Sequence, residues 1–283
     1  MQTSRWSNRA ISPLDFRSTS DMAREIVLLH PGWGKRPEML RFIMGALVER
    51  GRMPIALDTR FGYANTQSTG SGLLGQKYHV GSDNPYYPYA TPRDNRYRLR
   101  RPTAVLALAE ALGIESASLF GQSEGGRVMA TVAIAPKRLH IPKLVVANAV
   151  GTGITMGVSG QVKSSFDNNE LFDGKNFDLL KEAIPSALES TAYAVSHPRR
   201  WLREKSVIEN SDIWPTLDEV ALIQEIDTVV MHAKGDRAIS FAESELQARI
   251  RPHLTFIPTE GGHSNIYTRE QAELIANQFI TTA

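Results

Sequence analysis

The sequence predicts an α/β protein whose mostly parallel sheet is covered by helices on both faces. Short apolar runs rich in Val, Ile and Leu alternate with longer segments of helical spacing, which is the pattern of βαβ units. The apolar runs are nearly continuous, as in strands that are buried on both faces. Hydrophobic residues make up 42% of the 283 residues, which is enough for a sizeable core.

Strands and helices alternate in chain order. The predicted strands are Ile26–His30, Pro54–Asp58, Ser116–Phe120, Lys143–Asn148, Thr228–Ala233 and Leu254–Pro258. The predicted helices are Pro37–Arg50, Arg98–Leu112, Glu124–Ala135, Phe241–Ile250 and Arg269–Thr281. In the second helix, Val105, Leu108 and Leu112 recur at a spacing of three to four residues, and Gly113 follows as a stop signal.

Two stretches interrupt this alternation. Residues 62–92 are rich in Gly, Ser, Tyr and Pro, and they are too long for an ordinary strand–helix connection. Residues 152–226 have helical character, notably over 179–196, but do not continue the βα rhythm. We therefore predict a core formed by residues 1–151 and 227–283, with residues 152–226 inserted as a cap.

Charge and composition exclude several classes of protein. Lys and Arg number 32 against 30 Asp and Glu, so the chain lacks the basic excess of a nucleic-acid binder. The absence of cysteine excludes disulfides, cysteine-ligated metals and a thiol nucleophile. No apolar run approaches the ~18 residues that span a bilayer, and no secretory leader is evident. We expect a cytoplasmic protein with a small-molecule substrate, and the sequence leaves homodimerisation open.

Residues 121–125, Gly-Gln-Ser-Glu-Gly, fit the pattern G-x-S-x-G. The pattern alone is weak, but here it follows a predicted strand and opens a predicted helix, which is the setting of a nucleophilic serine. Glycines at 121 and 125 remove Cβ atoms that would collide in so sharp a turn. Ser123 is therefore the candidate nucleophile, and a serine N-cap beside a glycine turn is the structural alternative.

A nucleophilic serine needs a base, and the base needs an orienting acid. Among the seven histidines, His263 follows a predicted strand through a Gly-Gly turn, at the edge of the sheet that carries Ser123. Asp236 follows the preceding strand through Lys-Gly, with a simple Gly-Asp turn as the alternative. Asp58 also follows a strand, but we interpret it as a brace for its loop through Arg60. The order Ser123, Asp236, His263 is typical of one serine-hydrolase fold.

With these motifs the chain resembles the α/β-hydrolase superfamily from about residue 25 onward. Residues 30–33 (His-Pro-Gly-Trp) are similar to its oxyanion loop, and residues 57–62 to its Asp-x-Arg-Gly turn. Residues 121–125 match its nucleophile elbow, and Gly235-Asp236 and Gly262-His263 match its acid and base loops. The resemblance implies an eight-stranded sheet, shortened if the brief N-terminal region lacks strands, with a helical cap between strands six and seven.

The resemblance also implies how an oxyanion is bound. The backbone N–H of Glu124 supplies one donor, and the loop after the first strand supplies the other. Pro31 has no N–H, so this second role goes to Trp33, with Gly32 in reserve. The carboxylate of Glu124 is expected to pair with an arginine such as Arg127, or else to face water. No metal or organic cofactor is implied.

Four aromatic residues are candidates for the substrate pocket. Tyr86 and Tyr87 lie in a Tyr- and Pro-rich segment that is either a stiff lid or a packed surface loop. Trp201 and Trp214 lie in the predicted cap, where they line the pocket or form the core of the cap. Arginines crowd the stretch from 93 to 101, which we interpret as a solvated helix start, with attraction of an anionic group as the alternative.

The predicted activity is hydrolysis of a carboxylic ester, lactone or thioester of a small to medium substrate through an acyl-enzyme. Cleavage of an amide or peptide, or of a carbon–carbon bond beside a carbonyl, is the alternative chemistry of the same fold. A ligand-binding protein that kept the fold and lost turnover is the non-enzymatic alternative.

Overall fold

The computed structural model describes residues 25–57, 100–135, 139–153 and 177–280. Within these ranges six parallel strands form one sheet, in the order β2-β1-β3-β4-β5-β6. The strands are β1 (Ile26–His30), β2 (Met53–Ala56), β3 (Ser118–Gln122), β4 (Lys143–Ala147), β5 (Asp227–Ala233) and β6 (Thr255–Thr259). The mostly parallel α/β architecture predicted from the sequence is confirmed.

Eight α-helices lie in the described residues. They are α1 (Arg41–Glu49), α2 (Arg100–Ala111), α3 (Glu124–Ala133), α4 (Phe177–Ser196), α5 (Pro198–Glu209), α6 (Trp214–Leu222), α7 (Phe241–Arg249) and α8 (Arg269–Asn277). Single 3-10 turns, Pro37–Leu40 and Asn265–Tyr267, precede α1 and α8. None of the described helices is long and apolar enough to cross a membrane.

Helices cover both faces of the sheet because successive strand residues point in opposite directions. Leu28, for example, joins the core cluster beneath α2, α3 and α6, whereas its neighbours Val27 and Leu29 join the cluster beneath α1 and α8. Because both faces are covered, successive residues of the predicted strands are nearly all apolar. All carboxyl ends of the parallel strands consequently lie at one edge of the sheet.

Several predicted boundaries are corrected. The strand predicted at Ser116–Phe120 runs instead from Ser118 to Gln122, because Gly121 and Gln122 pair with β4 although they end the apolar run. The described residues contain six of the eight strands that the resemblance implies. Residues 1–24 and 58–99, which include Asp58 and the predicted lid residues Tyr86 and Tyr87, lie outside the described part.

One helix of the segment 152–226, which the sequence predicts as a cap, packs directly on the core. Helix α6 packs on α3 and β5, and Trp214, Leu217 and Val220 belong to the buried cluster on that face. This helix is therefore part of the core. Helices α4 and α5 remain, and α4 contacts the loop after β1 through Ser190 Oγ, which donates to the carbonyl of Gly34 at 3.2 Å.

Candidate active site

Ser123 lies in a strained turn between β3 and α3. Its φ of 54° and ψ of −121° are unfavourable for a residue with a side chain, and such conformations cost about 1–3 kcal/mol. The backbone on both sides is held by β4 and the turn after it, since the Ser123 N–H donates to Ala147 at 2.9 Å and its carbonyl accepts from Val150 at 3.1 Å. The strain is thus held by the sheet, and it leaves the Ser123 side chain at the carboxyl edge.

Both glycines of the motif are sterically required. A Cβ on Gly121 would lie 2.3 Å from the carbonyl oxygen of Gly125. A Cβ on Gly125 would lie 2.3 Å from the carbonyl oxygen of His30. Because the obstructing atoms are backbone, they cannot move aside, so the turn can form only with glycine at these positions. This confirms the steric reason for the motif.

The structure brings Ser123, His263 and Asp236 together in a chain of hydrogen-bond contacts. His263 Nε2 lies 3.0 Å from Ser123 Oγ, and His263 Nδ1 lies 2.8 Å from Asp236 Oδ2. The three residues follow β3, β6 and β5, respectively, at the same edge of the sheet. In this geometry Nδ1–H donates to the carboxylate, which leaves Nε2 free to accept the serine proton.

The carboxylate of Asp236 is buried, and both of its oxygens accept hydrogen bonds. Its Oδ1 accepts backbone N–H bonds from Ala238 at 2.8 Å and Ile239 at 3.0 Å. Burial by itself raises the pKa of Asp236, but the interactions with His263 and His232 outweigh it and hold that pKa well below its usual range. Asp236 is therefore ionised at neutral pH.

Asn148 positions the base loop, and the sequence analysis missed this role. Its side-chain amide donates to the carbonyl of His263 at 3.0 Å and to Asn265 Oδ1 at 3.3 Å. Its Oδ1 accepts from the N–H of Ala233 at 2.8 Å. The sequence feature that indicates Asn148 is its position, a polar residue at the carboxyl end of a predicted apolar strand.

The predicted donors to an oxyanion are the backbone N–H groups of Trp33 and Glu124. Within the described residues neither N–H has a hydrogen-bond acceptor. Gly32, the predicted reserve, is different: its N–H lies 3.4 Å from the hydroxyl of Tyr267, which in turn donates to Gln122 Oε1 at 2.7 Å. The Gly32 N–H therefore already has a partner, which favours Trp33.

The carboxylate of Glu124 is buried between two arginines. Arg127 Nη2 lies 2.9 Å from its Oε1, as predicted, and Arg101 Nη1 pairs with its Oε2. Burial raises the pKa of Glu124, but the two guanidinium groups prevail and lower it to about 2. Arg101 is only 11% exposed at its side chain, so the interpretation of this arginine as part of a solvated helix start is wrong.

The tryptophans differ in their surroundings. Trp201 lies beside Trp33, with ring centroids 5.6 Å apart, next to the oxyanion loop. Trp214 is 4% exposed in the core cluster, and its Nε1 donates to the carbonyl of Thr152 at 2.9 Å. These contacts give Trp214 a packing role, which was one of the two alternatives that the sequence left open for it.

The site offers no obvious place for a metal. In the part of the chain that the structure describes, no group of three or more His, Cys, Asp or Glu side chains is arranged to hold an ion. The nitrogens of His263 are instead engaged by Ser123 and Asp236. The arrangement suits proton transfer and nucleophilic attack by a hydroxyl.

Sequence comparisons find no match to a protein-family model and none to a curated protein. Solved structures do match. A bromoperoxidase from Bacillus anthracis is 18% identical, with a TM-score of 0.58 and coverage of 90% of this chain and 91% of the other. An enol-lactonase from Burkholderia xenovorans LB400 is 17% identical, with a TM-score of 0.56 and coverage of 91% and 90%.

An esterase from Rhodococcus sp. ECU1013 is 15% identical, with a TM-score of 0.54 and coverage of 92% of this chain and 91% of the other. These three proteins all belong to the superfamily that the motifs indicated. At such low identities the likeness concerns the fold, and it extends over nearly the whole length of each protein. The chain has the α/β-hydrolase fold.

Proposed function

We propose that this protein is a serine hydrolase that cleaves a carboxylic ester, lactone or thioester of a small to medium substrate through an acyl-enzyme. The observation that carries the proposal is the alignment of Ser123 Oγ, 3.0 Å from His263 Nε2, with Asp236 2.8 Å from the other ring nitrogen. A serine hydrogen-bonded to a histidine, which is in turn hydrogen-bonded to a buried ionised aspartate, is the catalytic triad that activates a hydroxyl at neutral pH.

The reaction follows from these contacts. Ser123 Oγ attacks the carbonyl carbon while its proton passes to His263 Nε2, and the carbonyl oxygen becomes an oxyanion. His263 then gives that proton to the leaving alcohol, thiol or lactone oxygen as the tetrahedral intermediate collapses to an acyl-serine. Water, deprotonated by the same ring nitrogen, attacks the acyl-serine, and the proton returns to Ser123 Oγ as the acid is released.

The N–H groups of Trp33 and Glu124 are the proposed donors to the oxyanion, and each such donor is typically worth about 3 kcal/mol in the barrier. The amino end of α3, which begins at Glu124, adds a favourable partial positive charge. A carboxylate so near an oxyanion would oppose it. The pairing of Glu124 with Arg101 and Arg127 removes this repulsion, because the two positive charges offset the one negative charge.

Two further features support a small-molecule substrate. The side chains of Trp33 and Trp201 form a half-buried aromatic pair beside the oxyanion loop, a suitable wall for an apolar acyl or leaving group. Helices α4 and α5 contact that loop, so we propose that they form the cap in place of the longer segment 152–226. The esterase and the enol-lactonase among the structural neighbours act on ester bonds, which is in keeping with this substrate class.

A panel of substrates tests the proposal. Wild-type protein is expected to hydrolyse p-nitrophenyl esters graded by acyl length faster than aminoacyl anilides, and Ser123→Ala is expected to lose the activity. Ser206→Ala, which alters an exposed serine on α5, is the matched control and is expected to keep it. If anilides, or a substrate with a carbon–carbon bond beside a carbonyl, are turned over faster than the esters, the proposed substrate class changes to that one. Binding without turnover in the whole panel would favour a ligand-binding protein.

A further inference from the structure

A glutamate of the insertion holds the side chain of the proposed oxyanion donor Trp33. The indole Nε1 of Trp33 donates to Glu204 Oε2 at 3.1 Å, across 171 residues of sequence. The other carboxylate oxygen of Glu204 accepts from the hydroxyl of Tyr193 at 3.0 Å. Because the Glu204 side chain is only 15% exposed, water competes little for these bonds.

The same face of α5 contacts the rest of the Trp33 ring. Trp201, three residues before Glu204, lies against the ring with an interplanar angle of 36°. Ile208, four residues after Glu204, belongs to the buried cluster on which Trp33 packs. Residues at these spacings share one face of a helix. Helix α5 therefore contacts the Trp33 side chain through Trp201, Glu204 and the cluster that contains Ile208.

Arg101 connects Glu204 to Glu124, the residue that carries the second proposed donor. Arg101 Nη2 lies 3.6 Å from Glu204 Oε2, while Nη1 of the same guanidinium pairs with Glu124. Burial lowers the pKa of Arg101, but Glu124 and Glu204 outweigh it and the pKa is raised, so the bridge stays charged. One guanidinium thus connects the residue after the nucleophile to the glutamate that holds Trp33.

We infer that Glu204 is a positioning residue for the oxyanion hole. Through the Trp33 indole it fixes the loop that carries one N–H donor, and through Arg101 it is tied to the residue that carries the other. The inference rests on the proposed function, because it concerns the donors of that site. Loss of one oxyanion donor typically lowers kcat by about 10²–10³-fold, so displacement of the Trp33 N–H by loss of its anchor is expected to cost about 10–100-fold.

The test compares four single variants on one p-nitrophenyl ester that the wild type hydrolyses. Glu204→Leu removes the acceptor, and we expect kcat to fall about 10–100-fold with KM changed by less than about 3-fold. Glu204→Gln keeps an acceptor oxygen for the indole and is expected to recover most of that kcat. Trp33→Phe removes the N–H donor together with the five-membered ring of the indole, and it is expected to resemble Glu204→Leu. Glu209→Gln, a Glu→Gln change on the same helix in the half-buried ion pair with Lys205, is expected to match wild type.

A double variant separates positioning from a purely structural role. If the two residues act through one hydrogen bond, Trp33→Phe combined with Glu204→Leu loses no more kcat than the worse single variant. Losses that multiply, or a wild-type kcat in Trp33→Phe, would overturn the inference. Trp33→Phe remains informative even if Glu204→Leu does not fold, because it keeps an aromatic side chain and leaves the ion pairs of Arg101 with Glu124 and Glu204 intact. A wild-type protein with no ester turnover would instead overturn the proposed function, so the two failures are distinguishable.

Discussion

The side-chain amide of Asn148 donates to the main-chain carbonyl of His263 at 3.0 Å. Asn148 follows β4 with a φ of 46°, and its Oδ1 accepts from Ala233 N–H at the end of β5. One buried side chain therefore connects the strand next to the nucleophile with the strand that leads to the acid and with the loop of the base. We expect the relative placement of the loops that carry Ser123, Asp236 and His263 to depend on this side chain.

Asn148→Gly tests this connection without adding backbone strain, because glycine accepts a positive φ. The buried N–H of Ala233 would lose its acceptor, which typically costs about 1–3 kcal/mol of the free energy of unfolding. The base loop would also lose its donor, so we expect kcat to fall about 10-fold or more. Asn148→Ala should be less stable still, by about 1 kcal/mol, because alanine resists this conformation. Denaturant unfolding and steady-state kinetics measure both effects, and a Gly variant with wild-type stability and turnover would refute the role.

Asp236→Asn is expected to lower kcat by about 10²–10⁴-fold with a much smaller effect on KM. An amide can still hydrogen-bond the imidazole, but it loses the charge that stabilises the imidazolium and can hold the wrong tautomer. Asp218→Asn is the matched control, since Asp218 is ion-paired with Arg251 and contacts His253, and neither residue belongs to the site around Ser123. Steady-state kinetics on one ester compare the two variants. Near-normal turnover of folded Asp236→Asn would show that another residue is the acid.

His30 makes the stability of the fold depend on pH. Burial lowers the pKa of His30 to about 4, only partly offset by Glu124, from a usual value of 6.5. Above pH 6.5 the ring is neutral in both states, and as pH falls toward 4 only the unfolded chain takes up the proton. The stabilisation is therefore complete above pH 6.5 and is lost on acidification, by about 2–3 kcal/mol at pH 4.5.

His30→Gln should remove this part of the pH dependence. Urea unfolding of wild type and variant at pH 7 and pH 4.5 gives the comparison, since the lowered pKa values of Glu124 and Asp236 reduce stability mainly below pH 4.5. We expect a smaller difference between the two pH values in the variant. An equal difference in both proteins would contradict the burial of a neutral His30.

Two glycine substitutions should have opposite effects. Gly125→Ala places a Cβ against the carbonyl of His30, so we expect loss of the folded elbow and of activity. Gly45 lies in α1 with nothing within 4 Å of an added Cβ, so Gly45→Ala should stabilise the protein by about 0.5–1 kcal/mol. Thermal unfolding separates them, and a stable, active Gly125→Ala would show that the turn is looser than described.

Much of this site follows from local sequence. The flanking glycines predict Ser123 as a nucleophile. Asp236 and His263 are predicted by their positions after apolar strands, since parallel strands bring their carboxyl ends to one edge of the sheet. The positions of β1, β4 and β5 were predicted to within one residue at each end because buried strands are continuous in hydrophobicity.

The contacts that hold the site together were not predictable in this way. Arg101 pairs with Glu124 and approaches Glu204, and Trp33 reaches Glu204 across 171 residues. These partners share no spacing or motif, because they meet only when α2, α5 and the loop after β1 pack together. The sequence does not distinguish an arginine that faces water from one that pairs with a buried carboxylate, so it predicts Arg101 at the surface.

Reaction with a fluorophosphonate, read by intact mass and peptide mapping, tests most directly whether Ser123 is the nucleophile. The account predicts a single adduct on the peptide that contains Ser123, strong slowing in His263→Ala, and no adduct in Ser123→Ala. Labelling of Ser123→Ala at the wild-type rate, or an adduct on a different peptide of the wild type, would contradict it.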